Sequence, residues 1–333
     1  MDSPLVDGFG RNITYLRLSV TDRCDLRCAY CMAEKMTFLP KSEILSLEEL
    51  ETICAAFIAR GVRKIRLTGG EPLVRRDILR LVRSLGDCLD RGELEELTLT
   101  TNGVLLEKYA RDLKAAGIKR INVSLDSLDA DVFARLTRRN VLGQVLRGMD
   151  AARNAGLHIK INTVALRNVN ETEIPSILTW AHGHHMDMTL IEVMPMGEID
   201  ADRVDQYVPL TEIREGLEKK YTLLDTLLRT GGPSRYVRVR ETGGLLGFIT
   251  PLTNNFCAGC NRVRVTCTGR IYMCLGRDDH LDLREAVRSE NPGRVIHAAL
   301  DKAMIAKPQA HDFSIRERKA QPATRRHMSV TGG

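Results

Sequence analysis

Aromatic residues are scarce in this chain: Phe, Tyr and Trp make up 5% of 333 residues, and Trp180 is the single tryptophan. Its basic residues therefore have no interleaved aromatic platform on which single-stranded bases could stack, and no nucleic acid is expected as partner. Long apolar runs are also missing. Stretches such as 53–59 fall far short of the roughly 20 residues that span a bilayer, which argues against a membrane protein. The opening residues, MDSPLVDGFGRN, show no basic segment followed by an apolar one, so no secretory signal is read and a cytoplasmic location is expected. Neither charge dominates. Lys and Arg number 49 against 43 Asp and Glu, a net +6 that suits a small polyanion as well as a solvated basic surface.

What the chain does have is cysteine, nine in all. In a reducing compartment these should not form structural disulfides, so metal or redox chemistry is the expectation. With 43% apolar and 28% charged residues the composition is that of an ordinary globular protein, long enough for one large domain or two average ones.

Strand and helix patterns alternate through the first two thirds. β-rich runs fall at 15–20, 64–68, 97–101, 121–125, 158–164 and 189–194, separated by amphipathic segments at 47–60, 77–85, 107–116, 143–154 and 171–182. Ser46-x-x-Glu49 reads as a capping box that opens the first helix, and Gly61, Gly117 and Gly156 follow three of the helices, where a left-handed turn is expected. Such a series implies a parallel sheet with right-handed crossovers. Strand parity refines this. One face carries Arg17, Ser19, Lys64, Arg66, Thr68, Thr98, Thr100, Asn122, Ser124, Asp126, His158, Lys160 and Asn162. The other carries Leu16, Leu18, Ile65, Leu67, Val123, Leu125, Ile159 and Ile161. An open α/β sheet would be apolar on both faces and a complete barrel would pack its lumen. One polar face fits an incomplete, TIM-like (β/α)6 barrel around a polar ligand. The expected division is 1–205 for this barrel, 206–305 for a smaller α+β domain, and 306–333 for a basic tail that composition alone would make flexible. The histidines His182, His184 and His185 read as an exposed helix end.

Cys24, Cys28 and Cys31 form C-x3-C-x2-C straight after the first strand. Three thiolates converge over so few residues when a loop wraps a metal centre. Structural zinc normally takes four protein ligands, whereas a cubane iron–sulfur cluster on three cysteines keeps one iron open to a substrate or cofactor. Cys257, Cys260 and Cys274 form a second set, and Cys267 leaves open a four-cysteine zinc site there. The alternation of Arg262-Val263-Arg264-Val265-Thr266-Cys267 places Cys267 with the valines, as a buried small residue. Cys54 and Cys88 read as core.

The first set, with Tyr30 before its third cysteine and Gly69-Gly70-Glu71-Pro72 after the second strand, resembles the radical S-adenosylmethionine (SAM) superfamily. Absent Cβ atoms let that glycine backbone approach the methionine end of SAM. Across nearly its whole length the chain is similar to the GTP 3′,8-cyclases of molybdenum cofactor biosynthesis, through TYLRLSVTDRC, KIRLTGGEP, TLTTNG, RINVSLDSLD, CAGCNRVRV and Gly332-Gly333.

The resemblance implies a lyase with two [4Fe–4S] clusters, on Cys24, Cys28 and Cys31 and on Cys257, Cys260 and Cys274. SAM is cleaved to a 5′-deoxyadenosyl radical that takes hydrogen from C3′ of GTP, and C3′ then joins C8. It implies SAM contacts at Tyr30, Gly70, Ser124 and Met194. GTP contacts fall on Arg17, Arg66, Thr100, Lys160, Arg262, Val263 and Arg264, with Arg17 counted beside the first three cysteines as catalytic. It also implies a flavodoxin- or ferredoxin-type electron donor and cyclic pyranopterin monophosphate synthase as functional partner. A homodimer is common in the family, and its tail reaches back toward the active site. Arg316, Arg318, Arg325 and Arg326 read as solvated. The competing readings are another radical SAM enzyme with an auxiliary cluster (tRNA modification or enzyme maturation), a non-catalytic iron–sulfur electron carrier, and a zinc-stabilised nucleic-acid-binding module.

Overall fold

The computed structural model of the chain describes residues 3–199, 202–315 and 321–332; Gly333, Arg316 and Arg318 lie outside them. Strands β1 (Tyr15–Ser19), β2 (Lys64–Thr68), β3 (Glu96–Thr101), β4 (Arg120–Ser124), β5 (His158–Ala165) and β6 (Asp187–Glu192) are parallel and adjacent in chain order. Helices α1 (Leu47–Ala59), α2 (Ile78–Asp90), α3 (Leu106–Ala115), the pair α4 (Ala130–Thr137) and α5 (Leu142–Asn154), and α6 (Ile174–Gly183) make the crossovers. The capping box forms as read: Ser46 Oγ accepts from Glu49 N at 3.1 Å, and Glu49 Oε2 accepts from Ser46 N at 2.7 Å. Leu16, Leu18, Ile65, Leu67, Val123 and Ile161 point away from the barrel interior into one apolar core with the helices. The sheet therefore turns its polar face inward.

The rest of the chain adds α7 (Arg203–Gln206), α8 (Leu210–Glu218), β7 (Leu223–Asp225), β8 (Arg235–Val239), β9 (Leu245–Ile249), β10 (Arg262–Val265), β11 (Arg270–Tyr272), β12 (His280–Asp282), α9 (Arg284–Val287), α10 (Pro292–Ala306) and α11 (Met328–Thr331). The sheet runs β12-β11-β10-β1-β2-β3-β4-β5-β6-β9-β8-β7. Residues 206–305 thus extend both edges of the barrel sheet. β10 lies parallel to β1, Tyr15 opposite Arg262, and β9 lies parallel to β6. Among the described residues, no helix is long and apolar enough to cross a membrane.

Three expectations need correction. His182 is buried, its ring bonded to Thr242 Oγ1 at 2.5 Å and Leu245 O at 3.2 Å. It pins the β8–β9 hairpin to α6. Arg326 is not solvated: it donates to Leu275 O and Arg277 O and stacks on Tyr272 with its Cζ 3.7 Å from the ring centre. With it the described tail residues 321–332 dock on distant loops, for Gly197 N donates to Thr324 O and Ala323 N to Pro195 O, both at 2.9 Å. Composition missed this because the tail's contacts are with distant loops, not with its own neighbours.

Candidate active site

The inward strand faces bound one cavity of about 1940 Å³ with its mouth included. Its wall includes Cys24, Cys28 and Cys31, and also Cys257, Cys260 and Cys274. The first set follows the C-terminal end of β1; Cys257 and Cys260 precede the N-terminal end of β10, its parallel neighbour, and Cys274 follows β11, the antiparallel partner of β10. The five residues of β1 separate the two ends, about 13 Å over four steps of roughly 3.3 Å.

The two sets differ at Cys260. Burial pushes the Cys24 thiol up to about 12, with Glu71, Asp25 and Cys31 adding to it. Burial likewise raises Cys31 to about 11 and Cys28 further, the latter helped by Cys31, Asp126 and Cys24. Three thiols that resist ionisation in one another's company fit a cationic iron–sulfur centre, which would supply the missing positive charge. In the second set burial also opposes ionisation, but at Cys260 it is outweighed by Arg262, Lys307 and Arg264, and that thiol is lowered. Cys257 stays raised by burial. Lys307 holds this corner: its Nζ donates to Met273 O at 2.7 Å and Arg262 O at 3.1 Å, and lies 3.8 Å from Cys260 Sγ. Cys267 is fully buried, off the cavity wall, its thiol beside Asp22 and Arg75. Among the described residues no three His, Cys, Asp or Glu side chains could hold a single metal ion.

Between the sets the wall is basic. Arg17, Arg66, Lys160, Arg262 and Arg264 line it, each less than a tenth exposed. Arg17, Arg66 and Arg264 leave Nε buried without a partner, as does Thr100 its Oγ1. Unpaired buried guanidinium donors are costly, so these groups are poised for a polyanion. Burial first, then Arg66 and Arg120, pull the Lys160 pKa well down; its Nζ donates to Tyr236 Oη at 2.7 Å.

Near the first set, a Cβ on Gly70 would lie 2.3 Å from Arg23 O, so the second strand's loop packs backbone to backbone there. Glu71 braces that loop by accepting from Asn102 N and Leu73 N. Tyr30 Oη donates to Asp126 Oδ2 at 2.6 Å, and Asp126, lifted by burial to about 6, also lines the cavity with Ser124 and Met194. The tail closes this end. Met328 and Ser329 face the cavity, the Ser329 amide bonds to the Cys31 thiol, and Gly332 (φ 71°) lies against Thr68.

The cavity brings together every site residue named from the sequence except Val263, whose side chain is fully buried in the apolar core. The reason is parity: Arg262 and Arg264 point inward and the residue between them points out. Sequence reasoning missed Tyr15, Lys307, Tyr236 and His311. Tyr15 shares the parity of Arg17 and was legible in principle; Lys307 and His311 carry no local signal.

Comparison with known proteins agrees with this geometry at two levels. Residues 18–181 match the Radical SAM superfamily and residues 186–313 match Molybdenum Cofactor Synthesis C. In fold the chain resembles Streptococcus suis SuiB bound to S-adenosylmethionine, with a TM-score of 0.59, 16% identity and coverage of 88% of this chain and 67% of that one. It also resembles anSMEcpe with bound AdoMet, with a TM-score of 0.51, 16% identity and coverage of 62% and 57%. Closer in sequence are the GTP 3′,8-cyclases of Rhizobium etli (strain CIAT 652), 60% identical over 99% of this chain and 94% of that protein, and of Rhodopseudomonas palustris, 60% identical over 100% and 97%. The chain belongs to the GTP 3′,8-cyclase family.

Proposed function

We propose that this chain converts GTP to (8S)-3′,8-cyclo-7,8-dihydroguanosine 5′-triphosphate, the first step of molybdenum cofactor biosynthesis, with SAM and two [4Fe–4S] clusters as cofactors. One observation carries the reading: a single cavity has a three-thiol set at each end and buried, unpaired arginines between them. Bound there, the clusters and SAM supply one-electron cleavage and hydrogen abstraction, which no side chain can perform.

The protein's own residues position and shield. Cys24, Cys28 and Cys31 would hold the first cluster, and Cys257, Cys260 and Cys274 the second. Gly70 lets the backbone approach the methionine end of SAM, while Tyr30, Ser124 and Met194 frame the rest. Arg17, Arg66, Arg262 and Arg264 offer planar forks suited to paired phosphate contacts, with Lys160 as a point charge and Thr100 as a hydroxyl donor. Val263, its side chain in the apolar core, would contribute through its backbone alone. Met328 and Ser329 cover the mouth near the first set and keep competing hydrogen donors out. An external electron donor of flavodoxin or ferredoxin type is needed. The labile product favours prompt transfer to cyclic pyranopterin monophosphate synthase.

The test is 5′-deoxyadenosine formation by anaerobically reconstituted protein with reductant and SAM. The reading expects strong stimulation by GTP and none in Cys24→Ala. SAM cleavage indifferent to GTP would send the substrate assignment elsewhere, and no cleavage by iron-loaded protein would end the catalytic reading.

A further inference from the structure

Tyr15 opens β1 and is 1% exposed, yet it lines the cavity. Among the described residues its hydroxyl makes no hydrogen bond of regular geometry, though the Arg17 guanidinium faces it. The ring lies within a shell of cations: Lys64 Nζ is 5.0 Å from its centre, Arg66 Cζ 5.7 Å and Arg17 Cζ 5.9 Å. Every packed element contributes charge here. Arg17 comes from β1 itself, Lys64 and Arg66 from β2, Lys160 from β5 and Arg262 from β10. Farther out, Glu96 of β3 bridges Lys64 and Arg120 of β4 and so offsets one of their two charges; among the described residues Arg17, Arg66, Lys160 and Arg262 have no carboxylate in ion-pair contact. Burial would push the phenol up, but Arg66, Arg17 and Lys64 bring it down to about 7.

We propose that Tyr15 is a further substrate-binding residue: its oxygen is the counter-anion of the empty basic wall, and it becomes a hydrogen-bond donor to the polyphosphate once the nucleotide takes over that role. This rests on the reading of the wall as a polyphosphate site. The exchange balances simply, since the phenolate takes one proton from solvent as the polyanion enters. Below about pH 7 the phenol is already neutral and binding takes up no proton through it; above, each bound nucleotide draws one in, and affinity falls as pH rises.

The experiment compares GTP and inorganic triphosphate binding to cluster-loaded wild type and Tyr15→Phe by anaerobic equilibrium dialysis across pH. Ionisation of the phosphate chain is common to both proteins and cancels in the ratio of their dissociation constants. At low pH Tyr15→Phe should bind roughly tenfold more weakly, having lost a hydrogen bond to a charged group. Between about pH 7 and 8.5 the wild type should lose roughly tenfold relative to Tyr15→Phe, for both ligands. A ratio that stays flat with pH while both proteins bind GTP overturns the role of Tyr15 alone. Failure of the wild type to bind either ligand overturns the polyphosphate reading, and this proposal with it.

Discussion

Replacing Gly332 by alanine should unseat the tail. Gly332 adopts φ 71° and ψ 142°, a conformation that costs a residue with a Cβ about 1–3 kcal/mol. The new methyl would lie 2.1 Å from Thr68 Cγ2, 2.3 Å from Oγ1 and 2.7 Å from Cβ, where carbon atoms need about 3.5–4.0 Å. Thr68 is 2% exposed at the end of β2 and cannot yield without moving the sheet, so the tail must leave. Backbone strain alone lowers the docking constant by roughly 5- to 150-fold, and the clash adds to that. Two amides report the loss, Val330 N bonded to His327 O and Gly332 N bonded to Met328 O. Hydrogen exchange at both should accelerate at least tenfold, and GTP-dependent 5′-deoxyadenosine formation should fall with it. Adding Thr68→Ala removes the two closest contacts but neither the third nor the strained φ, so it should restore protection in part. Full protection and full activity in Gly332→Ala would refute the seating of the tail against β2.

Further outcomes follow from other sites. Cys267→Ser should keep full iron content and activity, because the thiol lies off the cavity wall; loss of one cluster by iron analysis would return it to the ligand set. Arg264→Met should weaken GTP binding roughly 10- to 100-fold, the worth of a charge-assisted hydrogen bond, with SAM binding unchanged in the same titration. Lys307→Met should leave Met273 O and Arg262 O without their donor, lowering the melting temperature and shifting the reduction potential of the second cluster but not the first. His182 is held below its usual pKa, first by burial. The unfolded chain therefore takes its proton more readily, so the stability that neutral His182 provides is present above about pH 6.5 and lost as pH falls below it. His182→Gln should flatten the melting temperature between about pH 5 and 7.

The barrel was legible because its signals are local. Strand parity separated Arg17, Arg66 and Lys160 from Leu16, Ile65 and Ile161, and Gly61, Gly117 and Gly156 take φ of 90°, 84° and 80° as the helix ends require. α4 went unread because its cap, Asp129 bonded to the amides of Asp131 and Val132, follows a loop with no apolar periodicity. The pairing of β10 with β1 and of β9 with β6 could not be read either, since hydrogen bonds between remote strands leave no periodic trace. The thiol sets were found by spacing. Lys307 was not, because a lysine at a helix end looks like any solvated lysine until the fold brings Cys260 to it.

The place of β10 beside β1 also sets an order of assembly. The bond from Asn261 to Thr14 joins residues 247 apart in the chain. At about 5–20 residues per second, β1 leaves the ribosome tens of seconds before its second neighbour exists. Through that interval the first thiol loop is complete while the wall beside it is open. The loop is thus accessible to whatever delivers iron and sulfide before the second thiol set has been made. The same interval leaves β1 as a bare edge, which invites mispairing with other chains. A chain cut short before Arg262 would keep that edge for good, and its fate is aggregation, with the first cysteine motif intact and of no use.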